Sequence, residues 1–391
     1  MKIFIIAGED SGDKLGSAII DGLSEVTDTP PKFVGIGGNG MKSRGLYSIF
    51  PMSELSVMGL AEIAFQYKNL KKRLNQTVSS ILDEKPDVLL TIDAPEFCFR
   101  VAKKIKLLNK NIPIIHYVAP SVWAWRPNRA QKISNFIDHV LALFPFEPQY
   151  FHDVGISCDF VGHPVVLDNT ADEESVNEFK KVYSLEDQPV ILCLPGSRKS
   201  EIDRLIPTFG KTLVKFSNAL PDAKFVLAST PDVYEYTKTF LDCMPKDIIF
   251  LTPEIIGVEK YLEFKKVSFK ISDLALAASG TVALELAANN TPMVIGYDMN
   301  FLSREIISLM LQTDTVNLVN LITGNRNIPE CIGSNFKSEN LFLEMVRVYS
   351  NNQKQIKDFK TTMELLGKSK DPPNVRAANS LLTFCKDFKT V

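Results

Sequence analysis

Two carboxylates stand at the end of an apolar run, where Val88–Ile92 gives way to Asp93-Ala-Pro-Glu96. An aspartate that directly follows a buried strand can be shifted toward the pKa of a general base. Before Ala-Pro the same residue also suits a helix N-cap, the commoner use of this pattern. A second set of residues suits anions. Pro195-Gly-Ser-Arg-Lys-Ser-Glu201 offers backbone N–H groups, hydroxyls and two cations ahead of a helix, which is what a diphosphate needs. Ala278-Ser-Gly-Thr-Val-Ala-Leu-Glu285 repeats the arrangement. Ser279 and Thr281 can cap a helix there, and Glu285, one turn beyond Thr281 on the same face, can reach a ribose diol. A capped helix with an incidental glutamate is the plainer reading; two anion-ready loops in one half of the chain weigh against it.

Other motifs are weaker alone. Gly8-Glu-Asp-Ser-Gly-Asp-Lys-Leu-Gly16 joins the first apolar run to a helix from about Lys14 to Leu23, and lacks the spacing of a Walker A loop. Gly35-Ile-Gly-Gly-Asn-Gly40 matches GxGxxG, but as the second strand–helix turn instead of the first, where a dinucleotide fingerprint sits. Tyr117–Arg126 holds both tryptophans, Trp123 and Trp125, beside Arg126 and Arg129, a set that suits a sugar face, an acyl chain or a phosphate. If residues 56–82 are helical, Ile63, Tyr67, Leu70, Leu74, Val78 and Ile81 form a core stripe. Met58 and Phe65 then fall opposite, beside Lys68 and Lys72, as on a helix meeting an anionic bilayer; a second buried face is the commoner reading. The chain has no DxD pair, no CxxC and no paired histidines. Structural zinc is therefore not expected, and a leaving diphosphate would be neutralised by side chains and helix dipoles.

The elements that carry these loops follow from the pattern around them. β-branched runs at Lys2–Ala7, 32–35, Val88–Ile92, 112–118 and 139–143 alternate with amphipathic stretches, the mark of parallel βαβ units. The series restarts at 189–194 and continues at 224–228, 248–251, 273–277 and 292–296. Two such series predict an α/β fold of two Rossmann-like domains facing across a cleft, with the boundary near Gly162–Leu167: 1–165, then 166–373. The tail from Lys337 to Phe388 reads as three helices. The last of them could cross back to the first domain, or exchange with a partner chain in a homodimer.

Composition supports a globular chain of 391 residues, 45% hydrophobic and 23% charged, which excludes disordered and collagen-like classes. Its 44 basic and 46 acidic side chains leave a net charge of −2, without the excess of a nucleic-acid binder. Neither a transmembrane span nor a signal peptide is legible, so the chain reads as cytosolic. Six scattered cysteines agree, as buried thiols.

Taken in order, these segments closely resemble the lipid-A-disaccharide synthase family along nearly the whole chain. The resemblance rests on Gly8–Asp13, Ile92-Asp-Ala-Pro-Glu-Phe97, His116–Arg126, Phe144-Pro-Phe-Glu147, Leu194–Arg198, Ala278–Thr281 with Glu285, Pro292–Tyr297 and Asn317-Leu-Val-Asn320. It implies a GT-B architecture and an inverting, metal-independent transfer with no cofactor. The donor would be UDP-2,3-diacylglucosamine and the acceptor 2,3-diacylglucosamine 1-phosphate. It further implies Asp93 as base; Gly196, Ser197, Arg198 and Ser279-Gly280-Thr281 at the diphosphate; Glu285 on ribose; and Asn320 against the nucleotide. Glu9, Ser11, Gly12 and Asp13, with Trp123 and Arg126, would line the acceptor side. Lipid substrates imply peripheral association with the cytoplasmic face of the inner membrane, through Met58, Phe65, Lys68 and Lys72. The chain departs from the family at Val319, where proline is usual, and at Cys331-Ile332-Gly333, so Glu330 is carried over without a glutamine after it. The competing readings are a UDP-N-acetylglucosamine 2-epimerase-like enzyme, a non-catalytic UDP-sugar-binding protein and, last, a dinucleotide oxidoreductase.

Overall fold

The computed structural model describes residues 1–55, 60–122, 128–168, 170–231, 233–298 and 314–389, with the backbone alone at 60–67, 128 and 255. The chain divides into two units. Met1–Pro164 and Leu366–Val391 make the first, and Val165–Leu365 makes the second.

Unit 1 contains β1 (Lys2–Ala7), α1 (Asp10–Val26), β2 (Lys32–Ile36), α2 (Asn39–Lys42), β3 (Tyr47–Ser48), α3 (Leu60–Glu84), β4 (Val88–Ile92) and α4 (Pro95–Leu108). It continues with β5 (Ile114–Tyr117), α5 (Asn128–Ile133), β6 (His139–Ala142), α6 (Glu147–His152) and β7 (Ser157–Phe160). Its seven strands lie in the order β3-β2-β1-β4-β5-β6-β7. Unit 2 contains α7 (Glu173–Val182), β8 (Val190–Leu194), α8 (Lys199–Ala219), β9 (Lys224–Leu227), α9 (Tyr234–Lys238), β10 (Ile249–Phe250), α10 (Pro253–Ile256) and α11 (Val258–Ile271). There follow β11 (Leu274–Ala277), α12 (Val282–Ala288), β12 (Met293–Tyr297), α13 (Leu318–Thr323), β13 (Glu330–Ile332), α14 (Ser338–Ser350) and α15 (Gln353–Leu365). Its six strands run β10-β9-β8-β11-β12-β13.

All the described strand pairs are parallel. Parallel neighbours need crossovers instead of hairpins, which is why helices punctuate nearly every strand. The central strands β1, β4, β8 and β11 are apolar on both faces and almost wholly buried, as sheets covered on both sides require. The α/β class and the two Rossmann-like units agree with the sequence.

The chain then returns to unit 1 as α16 (Pro373–Phe388), whose Ala377, Ala378, Leu381 and Cys385 enter the unit 1 core beside Ile19, Ile20 and Leu23. The approach is close. A Cβ at Gly22 would lie 2.3 Å from the Asn374 carbonyl oxygen.

Two differences from expectation have local causes. The strands β3, β7 and β13 are short edge or near-edge strands with mixed burial, so no apolar run announces them. Helix α1 begins at Asp10 instead of Lys14. Asp10 and Asp13 in its first turn complement the helix dipole, and Gly12 is buried where α1 meets the end of β1. Among the described residues, no helix is long and apolar enough to cross a membrane.

Candidate functional site

In unit 1, Ala7 pairs with Ile92 and Ile92 with Tyr117, so Gly8, Asp93 and Val118 leave the sheet side by side at its carboxyl edge. Ligands of open α/β sheets bind at this edge. Three non-glycine residues here have left-handed backbones: Asp93 with φ 49°, Ala94 with φ 41° and Val118 with φ 77°. Such conformations cost about 1–3 kcal/mol each and persist where the surroundings impose them. The Asp93 N–H is pinned by a 3.0 Å hydrogen bond to the Tyr117 carbonyl. The residue that caps α4 is Ala94, and no side chain caps the helix, so the N-cap reading of Asp93 does not hold. Burial instead holds its carboxyl above the ordinary 3.8, against a smaller pull from the Ala94 N–H. Beside β4 on β5, His116 is 1% exposed, with Nδ1 2.8 Å from Thr91 Oγ1. Burial, with a smaller push from Arg129, drives its pKa down to about 3.

Asp13 has a different task from the one expected. Its carboxylate accepts the N–H groups of Gly38 and Gly40 at 2.8 Å and of Met41 at 3.1 Å. These are the donors that a GxGxxG turn would offer a dinucleotide diphosphate, and here a carboxylate from the chain itself fills them. Asp13 thus organises the second loop, and that loop has an internal anion. Glu9 and Ser11 remain exposed at the start of α1, with Gly12 buried behind them.

In unit 2 a cavity of about 380 Å3 brings together most of the expected nucleotide residues: Gly196–Arg198 after β8, Ser279–Thr281 after β11, and Glu285 on α12. The loop after β8 is held by Glu201 in the first turn of α8, a residue given no role from the sequence. Glu201 Oε2 accepts from the N–H groups of Ser197 at 2.9 Å and Arg198 at 3.3 Å, while Oε1 lies 3.3 Å from the Arg198 guanidinium. Tyr297 donates to the same Oε1 at 3.4 Å. The loop amides assigned to a diphosphate are therefore held by Glu201, and the anion-binding capacity left there is the Arg198 side chain, 64% exposed. The tight turn needs a glycine at 196: φ is +112°, and a Cβ would sit 2.5 Å from Glu201 Oε2. Thr281 is the N-cap of α12 but makes no side-chain cap bond, contrary to expectation, and its hydroxyl stays exposed.

Asn320 does not reach this cavity. It is fully buried, donating to the Ile328 carbonyl at 2.9 Å and to Glu330 at 3.1 Å and accepting from the Ile328 N–H. Glu330 also accepts from the N–H groups of Val316 and Asn317, both at 3.0 Å, so this pair shapes the loop before α13. The Phe144–Glu147 motif is likewise structural, since buried Glu147 accepts from the N–H groups of Leu143 and Phe144. Trp123, Arg126 and Met58 lie outside the described residues, as does the side chain of Phe65; Lys68 and Lys72 are exposed on α3. The cavity also has lining that the sequence did not single out, namely Ala228–Thr230 after β9 and Lys265 on α11. No group of three His, Cys, Asp or Glu among the described residues is arranged to hold a metal ion.

Comparison with solved structures supports the architecture. The UDP-GlcNAc 2-epimerase from Neisseria meningitidis bound to UDP-GlcNAc superposes with a TM-score of 0.64 at 13% identity, over 98% of this chain and 99% of that one. A glycosyltransferase from Rickettsia africae gives 0.58 at 12% identity, over 99% and 98%. Sequence comparison is more specific. A lipid-A-disaccharide synthase from Ruegeria pomeroyi is 44% identical over 382 residues, 98% of this chain and 95% of that one. Another from Rhodospirillum centenum is 41% identical over 386 residues, 98% and 94%. The family model described as lipid-A-disaccharide synthetase matches residues 3–382. With its sheets, loops and cavity in that order along almost the whole length, the chain belongs to the lipid-A-disaccharide synthase family.

Proposed function

We propose that the chain joins UDP-2,3-diacylglucosamine to 2,3-diacylglucosamine 1-phosphate, forming the β-1,6-linked disaccharide 1-phosphate and releasing UDP. Family membership makes it a glycosyltransferase of lipid A biosynthesis. The observation that carries the mechanism is Asp93, an uncapping carboxylate in a left-handed turn whose burial favours the protonated form. A carboxylate so placed accepts the proton of the acceptor 6-hydroxyl as that oxygen attacks the anomeric carbon. The bond from the anomeric carbon to the diphosphate breaks on the opposite face, which inverts the centre. The departing charge falls to Arg198 and to the hydroxyls and N–H groups of Ser279–Thr281, while Glu285 accepts from the ribose diol. Glu9 and Ser11 line the acceptor side, and Asp13 serves it indirectly by holding the adjoining loop.

Both substrates are lipids, so the chain meets the cytoplasmic face of the inner membrane peripherally. Exposed Lys68 and Lys72 support an electrostatic contact, which Met58 and Phe65 complete with apolar groups. Met58→Ser/Phe65→Ser should lose binding to anionic vesicles; unchanged binding removes this surface.

The reaction is tested by UDP release in detergent and EDTA, with and without the acceptor lipid. Acceptor-dependent release in EDTA supports the transfer and its independence of metal. Release without acceptor points to hydrolysis or to epimerase-like chemistry, and UDP binding without release leaves a binding protein.

A further inference from the structure

The unit 2 cavity has one wall that the diphosphate and ribose assignments leave without a task. Ala228-Ser229-Thr230 and Lys265 build it. Ser229 is 2% exposed, and its Oγ has no hydrogen-bond partner among the described residues. An unpaired buried hydroxyl is costly, and native structures hold few of them. The surrounding backbone is fixed, because the Tyr261 hydroxyl donates to the Ser229 carbonyl. Tyr261 and Lys265 are four apart on α11 and so share a face. Lys265 is half-buried, its ammonium lies 6.0 Å from the centre of the Phe269 ring, and it makes no ion pair among the described residues.

The donor's own connectivity decides which of its parts belongs here. Its sugar must stay reachable by an acceptor, and its diphosphate belongs with the exposed Arg198. The nucleobase, at the far end of the molecule, is the part left for this wall, where Ala228 and Ser229 are almost fully buried. We propose that Ser229 and Lys265 read the edge of a uracil ring, the Ser229 hydroxyl pairing with its N3 edge and the Lys265 ammonium donating to its C4 carbonyl. Cytosine carries an amino donor at that position, which an ammonium cannot accept. The wall therefore selects UDP over CDP, and this inference rests on the sugar-nucleotide reading of the cavity.

Calorimetric titration of the full chain with UDP, UMP and CDP, alongside nucleotide-free melting curves, tests it. Ser229→Ala should melt at or above the wild-type temperature, since it removes an unpaired buried hydroxyl. It should bind UDP and UMP equally more weakly, by roughly tenfold. Lys265→Gln, at a half-buried helix position, should shrink the preference for UDP over CDP by roughly tenfold. Wild-type UDP affinity in both variants overturns the proposal. So does a loss for UDP that vanishes with UMP, which would assign these groups to the terminal phosphate. A folded wild-type chain that binds neither UDP nor UMP would defeat the sugar-nucleotide reading itself, and the base assignment with it.

Discussion

Replacing Asp13 with alanine separates a structural carboxylate from a substrate-binding one. In the folded chain its two oxygens accept three backbone N–H groups, at 2.8, 2.8 and 3.1 Å, across 25 to 28 residues of sequence. Alanine leaves all three donors without this partner. Met41 is buried, so water cannot readily replace the lost acceptor there, whereas Gly38 and Gly40 are half-exposed and partly repairable. At about 1–3 kcal/mol for a donor left buried, and less for the two that water reaches, the loss is roughly 3 kcal/mol. For a domain of this size that lowers the melting temperature by about 6–12 °C. The assay is differential scanning calorimetry of the full chain, following the transition of unit 1, because two units need not melt as one. Asp13→Asn keeps one acceptor oxygen and should fall between alanine and wild type. An alanine variant that melts within about 2 °C of wild type yet loses turnover would refute the reasoning and return Asp13 to the acceptor site.

Three further outcomes follow from the same geometry. Asp93→Asn should lower kcat by about 10²–10⁴-fold while leaving UDP affinity unchanged, read by steady-state kinetics beside calorimetry; wild-type turnover would dismiss it as the base. Glu201→Ala frees the Ser197 and Arg198 N–H groups and removes the guanidinium's tether, so UDP affinity should change by severalfold with little change in the acceptor KM; an effect on the acceptor alone would contradict this. His116 is neutral when folded, with a pKa near 3 against an ordinary 6.5, so the unfolded chain binds more protons below pH 6.5. Its stabilising contribution is intact above that pH and fades toward pH 3, by about 2 kcal/mol at pH 5. His116→Gln should flatten the melting temperature between pH 7 and 5, and an unchanged slope would show that the imidazole charges freely.

Much of this was legible in the chain because parallel, fully covered strands are written as uninterrupted apolar runs. β1, β4, β8 and β11 are such runs, and the loops at their ends were found with them. What stayed hidden depends on where a side chain's partner lies. Asp13 answers amides more than two dozen residues away, and Asn320 answers Glu330 and Ile328 across a turn; the family resemblance suggested ligand contact for both, and nothing in their local sequence showed these partners. Glu201 was in view as the end of a motif, but only the turn at Gly196 brings its carboxylate over the loop amides. Ser229 and Lys265 carry no motif; the first reads as a small turn residue and the second as one of many surface lysines. The strands β3, β7 and β13 escaped because two to four residues of mixed polarity have no periodicity to read.

The return of α16 to unit 1 has a consequence for synthesis. Unit 2 is one continuous stretch, but unit 1 is made in two pieces, the second at the very end of the chain described here. Its first 164 residues emerge early, and their Ile19, Ile20 and Leu23 wait for Ala377, Ala378 and Leu381 to be made. At ordinary elongation rates that wait lasts roughly tens of seconds, with an apolar seam of the nascent chain uncovered. The last helix is thus a latch in time as well as in space, and a chain that ends early should stall with its first-made domain as the unfinished one.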